Sequence, residues 1–313
     1  MQAVTIHDGE IRVQERPDPV PGAYEVLVRV HAAGLNGADM MQRRGRYPAP
    51  PGAPKDIPGL ELAGEVVARG PDADRFTEGD RVMGIVAGGG QAELAVVHEQ
   101  ILVPVPENLS WVEAGGVPEV FTTAHDAVFT QAQLQSGEHL LVHGGAGGVG
   151  TAAIQLGRAA GARVTATVRN PDLRDAVAAL GATVIDPEGF GEDGPFDVIL
   201  ELVGGPNVSE DLTALASEGR IAVIGISAGA RCEVDLRQLM ATRGRIHGSM
   251  LRARSVEDKA LTARELELSV VPLLASGAVR PLIAETYPLD RAEEAYDHFA
   301  AGGKLGKIVL VVP

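Results

Sequence analysis

Leu140-Leu141-Val142-His143-Gly144-Gly145-Ala146-Gly147-Gly148-Val149-Gly150 is the stretch whose reading decides the fold. It reads as a short buried strand entering a glycine-rich turn, then a helix from Val149 to Ala160 that stops at Gly161. Gly145, Gly147 and Gly150 stand at the G-x-G-x-x-G spacing. A tight turn, a backbone close to a pyrophosphate, and a helix packed hard on a strand each call for a residue without a side chain. Phosphates over such a turn meet unpaired N–H groups and the positive end of a helix dipole. In a chain with 39 glycines the spacing alone decides little, since a flexible turn would look the same. The order of elements decides it: strand before, helix after, and a second strand, Ala162 to Val168, where a βαβ unit requires one. Gly145, Ala146, Gly147, Gly148, Val149 and Gly150 are therefore read as a dinucleotide-binding turn.

Downstream of this turn, strands and helices alternate. Thr183 to Ile185, Phe196 to Val203, Gly219 to Gly225 and Arg245 to Met250 are apolar enough to be buried on both faces, as in a parallel sheet. Asp172 to Leu180, Val208 to Ala216 and Leu236 to Thr242 read as the intervening helices, which makes this a doubly wound α/β domain. Upstream, the chain reads mainly as strands. Ala3 to Ile6 and Ile11 to Gln14 flank the hairpin turn Asp8-Gly9, and Val26, Val28 and Val30 alternate with polar or outward residues. Further strands are expected at Glu61 to Arg69, Arg81 to Val86 and Gln91 to Pro104, with a proline-rich loop from Gly45 to Gly59. A long helix, Ser255 to Ser276, precedes a strand–helix–strand return over Leu282 to Tyr287, Asp290 to Ala301 and Lys307 to Val312. The expected domains are residues 1–112 with 277–313, and residues 113–276 for dinucleotide binding.

The whole chain sets bounds. Its 313 residues allow about two domains at the usual ~150 residues each. With 27 Lys and Arg against 42 Asp and Glu, the net charge of −15 argues against general nucleic-acid binding. Cys232 is the only cysteine, so no intrachain disulfide and no four-cysteine zinc lobe can form. The N-terminus lacks the segments of a signal peptide, and no apolar run approaches the ~18 residues of a membrane span. A cytoplasmic protein with no membrane partner is expected.

Beyond these bounds, the order of parts resembles the medium-chain dehydrogenase/reductase superfamily over essentially the whole chain. Local matches are Pro21-Gly22, Ala33-Gly34-Leu35-Asn36, Pro58-Gly59-Leu60-Glu61, Gly79-Asp80-Arg81-Val82 and Gly306-Lys307-Ile308-Val309. The resemblance implies a Rossmann domain beside a mostly-β GroES-like domain. Zinc alcohol dehydrogenases of this superfamily carry cysteine where this chain has Asn36 and histidine where it has Leu60, so no metal is expected. What remains resembles the zinc-free, zeta-crystallin-like quinone oxidoreductases. Gly88-Gly89-Gly90-Gln91-Ala92 and Ser249-Met250-Leu251-Arg252-Ala253-Arg254 are most similar to the tumour-suppressor-inducible members.

That resemblance implies hydride transfer from NADPH to a quinone or to an activated alkene. An enone or enoyl-thioester reductase is the nearest alternative, and a non-catalytic binding protein the next. NAD sites place an acid at the end of the second strand, whereas here it ends Thr167-Val168-Arg169-Asn170. Arg169 suits a 2′-phosphate, and Arg174 could add a second contact; solvated surface arginines are the plain alternative. Leu173 and Pro187 stand where the family often has lysine and tyrosine. Thr123 is implied at the nicotinamide carboxamide, and Val203, Gly204, Gly225, Ile226 and Ser227 at the carboxyl edge of the sheet. Asn36 could donate to an oxygen that gains charge, and Tyr47 could bond or protonate it, the alternatives being a loop cap and a tyrosine packed on prolines. Asp39, Glu61 and Asp80 are read as residues that hold loops and strand ends. The strand Arg245 to Met250 would lie at a sheet edge and pair with its twin in a homodimer.

Overall fold

The computed structural model describes residues 1–313. The chain opens with an antiparallel hairpin, β1 (Gln2–His7) and β2 (Glu10–Glu15). Its turn takes Asp8 and Gly9 to φ of 49° and 83°, the left-handed pair a two-residue hairpin needs. Next come β3 (Glu25–Gly34), the short helix α1 (Gly37–Arg43), β4 (Glu61–Arg69) and β5 (Arg81–Ile85). The strand expected over Gln91 to Pro104 is two strands, β6 (Leu94–His98) and β7 (Leu102–Pro104). A 3₁₀ turn, Glu99–Ile101, separates them because His98 Nδ1 accepts from Gln100 N and the buried Glu99 carboxylate turns away to accept from Arg75 N. Helices α2 (Trp111–Gly115) and α3 (Pro118–His125) follow, the second running into a π-helical turn over Asp126–Gln131.

The glycine-rich stretch lies between β8 (His139–Val142) and α4 (Gly148–Ala159). Then come β9 (Arg163–Thr167), α5 (Arg174–Ala178), β10 (Thr183–Ile185), β11 (Phe196–Glu201), α6 (Val208–Ala214), β12 (Leu215–Val223), α7 (Leu236–Thr242) and β13 (Arg245–Gly248). These six strands form one parallel sheet in the order β10-β9-β8-β11-β12-β13, with the order reversing between β8 and β11. Leu140, Leu141, Val142, Val198, Ile199 and Leu200 are fully buried, as strands covered on both faces must be.

The expected helix Ser255 to Ser276 is in three parts: α8 (Val256–Glu265), a π-helical stretch Leu266–Val270, and α9 (Val271–Ala275). Pro272 has no N–H to continue the ladder, so the hydrogen bonding shifts register before it. The chain ends with β14 (Ile283–Pro288), α10 (Ala292–Ala301) and β15 (Lys307–Val311). The second sheet runs β14-β15-β3-β4-β5-β7, with β6 also paired to β3. Tyr296 of α10 is fully buried in its core and donates its hydroxyl to Gln91 Oε1 at 2.9 Å.

The chain divides into Met1–Thr122 with Leu251–Pro313, and Thr123–Met250. Sequence reading had placed the divisions near residues 112 and 276. They differ because α2 packs on β3, β4 and β15, and α8 packs on β7 and the Glu99–Ile101 turn, so both helices join the GroES-like sheet. No helix is long and apolar enough to cross a membrane. Leu141 is fully buried beside Phe190, Phe196, Ile199 and Leu212. Leu141→Ala should therefore cost about 2–5 kcal/mol, read as a lower urea midpoint for unfolding of the parallel-sheet unit.

Candidate active site

The three fingerprint glycines fall into two kinds. A Cβ on Gly145 would lie 2.8 Å from Ala166 Cβ of β9, and one on Gly150 would lie 2.5 Å from the Gly144 carbonyl oxygen. Gly145 is required by packing of the turn against the neighbouring strand β9, and Gly150 by packing of α4 against the turn itself. Gly147 is the open one, since a Cβ there would meet only Gly144 O, at 3.4 Å. No side chain caps α4 and no acid occupies its first turn. The N–H groups of Gly148, Val149 and Gly150 thus have no intrahelical acceptor and face an incoming anion unopposed.

Around this turn the expected contacts are unequal. Arg169, two residues beyond the end of β9, is exposed and has no ion pair within the chain. Arg174 is already occupied: Nε donates to Val168 O at 3.0 Å and Nη2 to Asp186 at 2.5 Å, so it braces the strand end. Asn170 caps the next turn by accepting from Asp172 N. Val203 and Gly204 spend their N–H groups on Glu201 Oε1. Gly204 and Gly225 are also fixed by the protein's own backbone, which leaves no space for a side chain at either position. A Cβ on Gly204 would lie 2.5 Å from Gly229 O, and one on Gly225 would lie 2.2 Å from Leu202 O. Ser227 makes a long contact, 3.5 Å, to Val203 O, and Ile226 is 46% exposed. Thr123 is buried and its hydroxyl oxygen finds no partner in the protein. An orphaned buried hydroxyl is a group that a ligand amide would satisfy.

Beneath the turn lies a cluster that sequence spacing did not reveal. His143, Glu201 and Asp211 are each fully buried, and their ligating atoms lie within 4.8 Å of one another. His143 Nε2 is 2.9 Å from Asp211 Oδ1, and Nδ1 is 3.1 Å from Thr167 Oγ1. Glu201 also accepts from Asn207 Nδ2 at 2.9 Å. The only signal in the sequence was an acid ending an otherwise apolar strand.

The GroES-like unit has its own buried network. Asn36 caps α1, and its amide is committed: Nδ2 donates to Glu61 Oε1 at 2.9 Å, and Oδ1 accepts from Lys307 Nζ at 2.6 Å. Lys307 Nζ also lies 2.6 Å from Glu61 Oε1 and donates to Leu35 O at 2.7 Å. Glu61 Oε2 accepts from Glu119 N. Asp39 accepts from the backbone N–H of Asn36 and of Gly59, and burial pushes its carboxyl up to about 6. Asp80 accepts from Thr77 N. These three acids hold loops and strand ends, as expected.

Tyr47 stacks under Arg252, whose guanidinium carbon is 4.9 Å from the ring centroid. Burial raises the Tyr47 phenol above its ordinary value, so it keeps its proton at neutral pH. Arg252 donates to Ala87 O at 2.8 Å, Tyr47 O at 3.0 Å and Gln42 Oε1 at 2.8 Å. It thereby ties the proline-rich loop to the glycine loop at Gly88. Sequence reading had singled out its segment without giving Arg252 a role.

A GroES-like sheet joined to a six-stranded dinucleotide fold with a bare glycine turn defines a medium-chain dehydrogenase/reductase. Residues 22–107 match the family model "Alcohol dehydrogenase GroES-like domain", and residues 180–310 match "Zinc-binding dehydrogenase". The mouse quinone oxidoreductase (Mus musculus) is 32% identical over 308 residues, covering 94% of this chain and 91% of its own length. A polyketide synthase of Streptomyces halstedii, GfsB, is 36% identical over 296 residues, covering 92% of this chain but 5% of that protein. The mycobacterial Rv1454c structure, complexed with NADPH, is 27% identical with a TM-score of 0.87 and covers 99% of this chain and all of its own. The chain belongs to the quinone oxidoreductases of that superfamily.

The second model's name raises zinc, and the residues do not suit it. Leu60 offers no donor, Asn36 is engaged on both amide atoms, and the Lys307 ammonium already fills the space among Glu61, Asn36 and Leu35 O. Breaking this buried ion pair leaves Glu61 uncompensated. Lys307→Met should destabilise the GroES-like unit by about 3–5 kcal/mol, measured by urea unfolding.

Proposed function

We propose that this oxidoreductase passes a hydride from NADPH directly to a quinone, with no zinc ion in the reaction. The observation that carries the reading is the donor set around Asn36. It lacks zinc ligands and is closed by Lys307, so the acceptor must be reducible without a Lewis acid. A quinone is such an acceptor, because hydride addition yields a stabilised hydroquinone anion that water can protonate. Tyr47, held by Arg252 and protonated at neutral pH, would donate a hydrogen bond to the oxygen that gains charge. Asn36 then acts by holding Glu61 and Lys307 in place rather than by touching the acceptor.

Arg169 supports NADPH over NADH: it is unpaired beyond the end of β9, where an NAD site would carry an acid. Thr123 is the partner for the nicotinamide carboxamide in the same reading, which its unsatisfied hydroxyl supports. The chain's similarity to GfsB favours a second acceptor class, the double bond of an enoyl thioester, reduced by the same hydride. Pairing of two copies along β13 is also proposed. β13 is the last strand of its sheet, and Val234, Leu236, Met240 and Met250 around it are exposed.

Steady-state NADPH oxidation with a naphthoquinone should exceed that with an enone or crotonyl thioester, and added chelator should not change the rate. A higher kcat/KM for the crotonyl thioester would transfer the assignment to the alkene. Arg169→Ala should weaken NADPH by about 1.5–3 kcal/mol, the range of a charge-assisted hydrogen bond, while leaving NADH unchanged in titrations. Sedimentation at micromolar concentration should give a dimer, and Met240→Asp should shift it toward monomer.

A further inference from the structure

The cluster under the glycine turn does a job that hydride transfer does not require of it. Three loops carry the cofactor turn's surroundings: the one after β8, the end of β9, and the one after β11. His143, Thr167 and Glu201 each belong to one of them, and Asp211 of α6 joins them. Gly144 N donates to Thr167 Oγ1 at 3.3 Å, and His143 Nδ1 lies 3.1 Å from the same oxygen. The other ring nitrogen, Nε2, lies 2.9 Å from Asp211 Oδ1. Glu201 accepts from Val203 N, Gly204 N and Asn207 Nδ2, which fixes the shape of the loop after β11.

One atom is left over. Asp211 Oδ2 is buried and no donor reaches it, and a carboxylate oxygen of Glu201, equally buried, lies within 4.8 Å of one of Asp211. Two ionised carboxylates this close together and out of water repel each other strongly. A proton on Asp211 Oδ2, donated to Glu201, satisfies both. We propose that Asp211 is a positioning residue for the cofactor turn, working as a neutral acid whose proton, shared with Glu201, locks the loops after β8 and β11 together through His143. The inference rests on the reading of the glycine turn as the dinucleotide site.

The titratable groups facing Asp211 are His143, the residue after β8, and Glu201 from β11, and the remaining neighbours are neutral: Thr167 from β9, Asn207 from the loop, and Phe190, whose ring meets His143 edge-on at 4.5 Å. No lysine or arginine compensates the pair. Burial and the neighbouring Glu201 hold the Asp211 carboxyl above the ordinary carboxylate range. The sign follows. A carboxyl raised in the folded state contributes stability that is full below its unfolded value and is lost as pH rises through the folded one. Cofactor affinity should fall as pH rises above the folded value, where the cofactor-free protein loses the shared proton, by up to about tenfold per pH unit for one linked proton.

Asp211→Asn supplies a permanent amide hydrogen toward Glu201 and keeps an acceptor for His143, whereas Asp211→Leu supplies neither. NADPH affinity of the full chain, titrated from pH 5 to pH 8, should fall with pH for the wild type and be flat for Asp211→Asn. Asp211→Leu should bind about tenfold or more weakly throughout, the loss expected when buried partners are left unpaired. Without cofactor, the urea midpoint should decline with pH in the wild type relative to Asp211→Asn, a comparison in which the contribution of Asp39 cancels. Loss of affinity in Asp211→Asn equal to that in Asp211→Leu, with the stability slope unchanged, would overturn the proposal. So would stoichiometric metal retained by the wild type and absent from Asp211→Asn. A wild type that binds no NADPH would refute the cofactor reading, and the cofactor-free slope would still decide the shared proton.

Discussion

A carboxylate taken out of water must be surrounded by donors, and each unit of this protein is organised around one such group. In the GroES-like unit it is Glu61, at the first residue of β4, satisfied by Lys307, Asn36 and the backbone of Glu119. These partners come from the two ends and the middle of the chain, so the C-terminal return is pinned by charge as well as by strand pairing. In the parallel-sheet unit it is Glu201, at the last residue of β11, satisfied by the loop that follows it. Neither carboxylate can be left without donors, because the desolvation penalty of an unpaired buried charge is a large fraction of a domain's net stability.

This requirement fixes loops where chemistry needs them fixed. Glu201 dictates the path from Val203 to Asn207, and that path forces Gly204 and Gly225 to be glycine, since neighbouring carbonyls occupy the space of any side chain. The glycine turn after β8 follows a related logic. Two of its three fingerprint glycines serve packing and the third leaves backbone open, so an exposed stretch of backbone is what remains after the protein has satisfied itself. Arg252 applies the principle with the opposite charge, a buried cation that spends its donors on Ala87, Tyr47 and Gln42 and so sets the orientation of Tyr47.

Much of the fold was legible because it rests on local rules. The hairpin at Asp8-Gly9, the run of apolar strands after the glycine turn, and the helix Leu236–Thr242 follow from turn chemistry and hydrophobic periodicity. The exceptions have nonlocal causes. The split of Gln91 to Pro104 depends on Glu99 reaching Arg75 N. The allegiance of α2 and α8 depends on which sheet covers them, which no window of sequence contains. Around the glycine turn, spacing and position could nominate the glycines, Arg169 and Arg174, but could not tell the two arginines apart. Only the position of Asp186 shows that one arginine is spoken for and the other free.

Residue types and their spacing were enough for the two-part architecture, for a glycine turn between strand and helix, and for the lack of a thiol or imidazole at Asn36 and Leu60. Each of these depends on residue type at short range, where sterics and donor chemistry leave few choices. The tertiary structure alone decided which polar groups are already satisfied. Asn36 is committed to Glu61 and Lys307, Val203 and Gly204 to Glu201, and His143 to Asp211, across separations of 25 to 271 residues, 2 to 3, and 68. Hydrogen-bond capacity is finite and is allocated by three-dimensional proximity, so a residue's availability for chemistry can be read only once the fold has brought its partners to it.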